Sequence, residues 1–171
     1  IKKNSTNWSS EQSKYTFVAQ IEALRPSVVG SGNLERFDYW LNAMKALRLK
    51  GEYGCVRDDF EAAMAQSKWT DALTYRRAMA RLFEQIMSLE ADKAFNSSDL
   101  GDIMLLEDVN WQQLMVTRHD AALAAGLGGS IPSDANPSLT YTGSPRVRVM
   151  PARTNVSSGE SLNLNVTILG N

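Results

Sequence analysis

Two short acidic groups carry the residue types from which bond-breaking chemistry is made. In "GNLERFDYW" (residues 32–40), Glu35 and Asp38 lie three residues apart beside Tyr39 and Trp40, and Asn42 continues the polar stripe. In "LLEDVNW" (residues 105–111), Glu107 and Asp108 precede Trp111. Two carboxylates across a glycosidic bond act as acid and as nucleophile or base, and aromatic rings beside them stack on sugars. Carboxylates on adjacent helical turns point the same way, so Glu35 and Asp38 together do not make such a pair. A second segment must complete it. The competing structural account is that Glu35 complements a helix dipole, Arg36 and Trp40 form a local cation–π pair at i,i+4, and Phe37 and Trp40 are core.

Other chemistries fit less well. The one histidine, His119, has Asp120 next to it in sequence, which points about 100° away on a helix, and no G-x-S-x-G elbow is present. "VVGSGN" leads into a helix start that could offer free amides to an anion, with Arg36 nearby, but it matches neither nucleotide-binding glycine pattern. "GLGGS" reads as a helix cap and linker. Cys55 stands alone, so no intrachain disulfide forms, and one Cys with one His excludes a Cys/His zinc site within the chain. No metal or other cofactor is expected. With 18 basic and 19 acidic side chains, the chain lacks the basic excess of a nucleic-acid binder. No apolar run approaches the roughly 20 residues that cross a bilayer.

The elements that must position these groups are mainly helical. Residues 1–12 are polar. A helix is expected from about Ser13 to Leu24, stopping before Pro26, and "SVVG" reads as a short buried strand. Asn33 is expected to cap a second helix with the stripe Leu34, Phe37, Leu41, Met44 and Leu47, ended by Gly51 and Gly54. "VRDDFEAAMAQ" forms a third. The longest runs from near Thr70 to about Ala94, with Tyr75, Met79, Leu82, Ile86 and Leu89 at a clean helical period. Ser98 offers capping chemistry after it, and "WQQLMVTRHDAALAAG" is a further helix closed by Gly126.

Beyond Leu127 the character changes. Residues 127–144 read as a Gly/Pro/Ser/Asn linker. "RVRVM" and "SLNLNVTIL" alternate as strands, with Val147 and Val149 facing one way and Asn165 on the opposite side from Val166 and Ile168. The expected fold is α+β: a helical region over 13–126, then strands over 145–171. Two strands alone are marginal and leave open edges, so they are expected to join a β-sandwich completed elsewhere. Five Asn-x-Ser/Thr sequons, at Asn4, Asn7, Asn96, Asn155 and Asn165, exceed the roughly two that chance gives and point to a secreted glycoprotein. A start at Ile1 without methionine fits a processed chain. The expected partner is another chain or the remainder of the same precursor.

"GNLERFDYWLNAMKALR", "DLGDIMLLED" and "YTGSPRVRVMPARTNVSSGESLNLNVTIL" together resemble the C-terminal part of large secreted glycoside hydrolases. The resemblance covers most of residues 15–169, and its most specific elements are Gly32–Phe37 and Arg146–Ile168. It implies the late helices of a (β/α) barrel followed by the first strands of a β-sandwich, and hydrolysis of O-glycosidic bonds. Glu35 and Glu107 are then the candidate catalytic carboxylates, with Asn33, Arg36, Asp38 and Trp111 as candidate substrate contacts. Asp108-Val109-Asn110 departs from the pattern. The alternatives are a non-catalytic subunit of an extracellular glycoprotein complex and a helical phosphate-binding module. An enzyme needs its carboxylate facing another in a cleft; a subunit leaves it on open surface.

Overall fold

The fold was obtained as a computed structural model. It describes residues 7–95, 116–138, 140–141, 144–151, 155 and 157–170. Two compact units result, residues 1–139 and residues 140–171.

The first unit is helical. Asn7 caps a short helix α1 (Trp8–Glu11), a 3-10 turn follows over Gln12–Tyr15, and α2 covers Thr16–Leu24. Pro26 sits in the 3-10 turn Arg25–Ser27, which ends α2 as its sequence demands. Val28 is extended, but "SVVG" forms no strand, and Val29 is 81 % exposed. An isolated apolar run with no neighbouring strand has nothing to pair with.

Helix α3 spans Ser31–Ala65 without a break. It starts at Gly30, so Asn33 lies inside the first turn rather than capping it. Gly51 and Gly54 do not stop it either. Each costs about 1 kcal/mol of helix propensity, which packing along the neighbouring helix offsets. Gly51 also has a packing role: a Cβ there would come within 2.3 Å of the Tyr15 hydroxyl. Ser67, at φ 55°, turns the chain into α4 (Trp69–Phe95), and α3 and α4 pack as an antiparallel hairpin.

The core lies between them. Phe60, Ala63, Ala72, Met79, Ala80, Phe83 and Met87 are joined by Val116 and Leu123 from beyond residue 115. Leu49, Leu82 and Ile86 form a second cluster, with Leu89 packed beside it. Each large side chain removed from water in this way contributes about 1.5–3 kcal/mol. A 3-10 turn over Thr117–His119 leads into α5 (Asp120–Leu127), which ends at Gly128 in the left-handed conformation. Gly126 therefore does not close this helix. A Cβ on it would lie 2.1 Å from the Trp69 ring, so glycine lets the indole rest on α5. Among the described residues no strand is interposed between α2, α3 and α4, so these helices do not alternate with strands as barrel helices do.

Residues 131–138 are more than a spacer. Ala135 is fully buried, Arg76 and Arg77 of α4 bind residues 134–136, and the Ser138 amide donates to Glu84 at 2.6 Å.

The second unit holds β1 (Arg146–Pro151) and β2 (Leu164–Leu169), paired antiparallel where the alternation placed them. Val147 opposes Ile168 and Val149 opposes Val166, so these four share a face. They are 54–66 % exposed. The two strands pair with each other alone, and no completed sandwich is present among the described residues.

Candidate functional site

The first turns of α3 are fixed by local polar contacts. Asn33 Nδ2 donates to the Val29 carbonyl at 2.8 Å, and its Oδ1 accepts from Arg36 Nη2 at 2.7 Å. Spacing of three residues brings Asn33 and Arg36 together on one helical face. Asp38 is engaged from outside the helix: Arg25 donates to both of its oxygens, at 2.7 and 2.8 Å. This bidentate pair ties the end of α2 to α3 and holds the Arg25 guanidinium above its usual range, first through the hydrogen bond and then through the charge.

Glu35 is exposed on the helix surface. Its sequence neighbour Asp38 is committed to Arg25, so the two carboxylates form no pair across a cleft. Trp40 is not core. It is 61 % exposed, with the Tyr39 ring set edge-on at 5.4 Å. Arg36 bonds Asn33 and makes no cation–π contact with Trp40. Leu47, one apolar position of the expected stripe, is 49 % exposed. Glu107, Trp111, Asn4 and Asn96 lie outside the described residues. Asn7, Asn155 and Asn165 are exposed, although Asn7 Oδ1 accepts from the Ser9 and Ser10 hydroxyls and the Ser10 amide as the cap of α1.

The amides of Asn33 and Leu34 both donate to the Gly30 carbonyl, at 3.1 and 3.0 Å. Those two amides are not available to an anion, and the turn itself is exposed at Ser31, Gly32 and Asn33. Among the described residues no group of three or more His, Cys, Asp or Glu side chains could hold a metal, and no helix is long and apolar enough to cross a membrane.

Three charged clusters escaped the sequence. Arg76, 1 % exposed, donates to the Ala135 carbonyl at 3.1 Å, to Asp120 at 2.5 Å and to Asn136 at 2.7 Å. Its position in the apolar arc of α4, beside Tyr75 and three residues before Met79, was the available signal. Glu90, 4 % exposed, binds Lys50 at 2.8 Å and also Lys93. Glu61 accepts from Arg118 at 2.5 Å and faces His119 Nε2 at 3.0 Å, while the His119 ring meets Phe60 edge-on at 5.4 Å. Asp120 turns instead to Arg76, so the adjacent His and Asp serve different partners. These clusters join elements; none sets a nucleophile beside a base.

Burial is the largest influence on both Glu90 and Glu61 and acts upward, but the Lys50 and Lys93 contacts of Glu90, and the Arg118 and His119 contacts of Glu61, together outweigh it. Both carboxyls lie below their usual 4.5. A depressed folded value means stabilisation that is complete above pH 4.5 and lost as pH falls through the folded values. The urea midpoint is therefore expected to fall between pH 5 and about pH 3, and Glu90→Gln is expected to flatten part of that fall. A midpoint that rises on acidification would contradict the assignment.

No family model, curated protein or solved structure matches the chain.

Proposed function

We propose that this chain is the supporting portion of a larger secreted carbohydrate-active enzyme, contributing a sheet-completing hairpin rather than a catalytic pair. The observation that carries the proposal is the row Val147, Val149, Val166 and Ile168, at 54–66 % exposure on a ribbon that pairs with no third strand among the described residues. Such a ribbon is marginal by itself, and its apolar face and open edges suit a second sheet from another chain or from the rest of the precursor. The carbohydrate element rests on the resemblance of Gly32–Phe37 and Arg146–Ile168 to secreted glycoside hydrolases. Exposed sequons at Asn7, Asn155 and Asn165 agree with a secretory route. Two-carboxylate hydrolysis then draws its paired groups from elsewhere, because Glu35 stands on open surface and Asp38 is bound by Arg25.

A non-catalytic glycoprotein subunit shares the hairpin but differs in turnover, so activity separates the two. The chain alone should hydrolyse no glycoside. The whole protein carrying Glu35→Gln should keep kcat within about twofold. Hydrolysis by the isolated chain, or loss of turnover in the Glu35→Gln protein, would overturn the proposal. A whole protein without glycoside turnover would favour the subunit.

A further inference from the structure

Trp40 is the largest exposed apolar side chain among the described residues of the helical unit, and the cation at i−4 does not cover it. Arg36 Nη2 instead donates to the neutral Asn33 Oδ1 at 2.7 Å. Arg36 forms no ion pair among the described residues. The neighbouring cations differ: Arg25 is held by Asp38, and Lys45 by Glu22 at 2.5 Å. The exposed Glu35 lies about 100° round the helix from Arg36 and does not share its face. This part of α3 thus presents an indole at 61 % exposure, set T-shaped to the Tyr39 ring, one helical turn from a guanidinium in no ion pair among the described residues.

We infer that Trp40 and Arg36 form a binding surface for an anionic pyranose, whose ring stacks on the indole while its acidic group takes the guanidinium. The C–H face of a pyranose is apolar and flat enough to lie on an aromatic ring. A carboxylate or sulfate matches the planar fork of arginine and gains a charge-assisted hydrogen bond from it. A neutral sugar forgoes the second contact, and a free inorganic anion forgoes the first. Asn33 anchors one arm of the fork, which limits the freedom that binding must remove. The inference rests on the carbohydrate part of the proposal above and is independent of the hairpin.

Calorimetric titration of the 171-residue chain tests it with three probes: oligogalacturonate, a sulfated galactan oligosaccharide and neutral cellohexaose. One of the acidic probes should bind at least about tenfold more tightly than cellohexaose, and which one identifies the acid as carboxylate or sulfate. Arg36→Ala and Trp40→Ala should each weaken that binding about tenfold or more. Trp40→Phe, which keeps an aromatic face, should retain most of it. Both positions are exposed, so circular dichroism should show each variant folded. No binding of either acidic probe, equal binding of cellohexaose, or affinity indifferent to both alanine variants would overturn the inference. Glycoside turnover by the whole protein without binding here would remove this surface and leave the earlier proposal. Binding here without turnover would do the reverse.

Discussion

Arg76→Ala is expected to destabilise the helical unit by about 3 kcal/mol or more. The side chain is 1 % exposed and gathers three acceptors from two separate segments: Asp120 at the start of α5, and Ala135 and Asn136 in the stretch that lies along α4. Alanine leaves the Ala135 carbonyl without this donor and opens a space against α4, and both effects are costly in a buried setting. Asp120 is 44 % exposed and regains water, which keeps the loss at the lower end of the range for broken buried pairs. Arg76→Lys should recover little, because one ammonium cannot reach three acceptors set in a planar fork. The neighbouring Arg77→Ala is the control. Its pair with Asp134 is exposed at 34 % and 64 %, and such surface pairs contribute up to about 1 kcal/mol. Urea unfolding should separate both Arg76 variants from Arg77→Ala by several-fold in lost stability; equal losses for Arg76→Ala and Arg77→Ala would contradict the buried role.

Phe60→Ala should cost about 3–5 kcal/mol. Phe60 is fully buried where α3 and α4 meet Val116 and Leu123, and its ring packs T-shaped with that of His119. Truncation opens a cavity at the point that joins the segment after residue 115 to the hairpin. Trp40→Ala should cost nearly nothing by the same urea measurement, since an exposed substitution away from packed contacts stays within about 0.5 kcal/mol. Both aromatics sit on one long helix, so the contrast tests burial directly. A large loss at Trp40 would mean that its ring is covered in solution.

That contrast also marks how far the sequence could be read. Helix α4 was legible because Met79, Leu82 and Ile86 repeat at helical spacing, and they are buried as expected. The strands were legible because strict alternation over Leu162–Ile168 fits no helix. Trp40 was not, because type and spacing say that a residue is apolar, and only the arrangement of neighbouring helices says whether anything covers it. The continuity of α3 was hidden for a related reason. Gly51 and Gly54 look like stops by local propensity, while the hairpin packing that overrides them is tertiary. Residues 131–138, with Pro132 and Pro137 among Ser, Asp and Asn, read as loop from composition, which carries no trace of the α4 side chains that hold them. At the candidate site, the Asn33–Arg36 contact follows from spacing of three. The Arg25–Asp38 pair crosses a turn and could not be read from spacing.

The proposed role requires that the β1–β2 hairpin take a sheet from outside this chain. Amide hydrogen exchange on the isolated 171-residue chain tests it most directly. Amides in Val147–Val149 and Val166–Ile168 should exchange at close to unstructured-peptide rates, while those of Met79–Met87 in α4 should carry protection approaching the global unfolding free energy. Hairpin amides protected as strongly as those of α4 would contradict it.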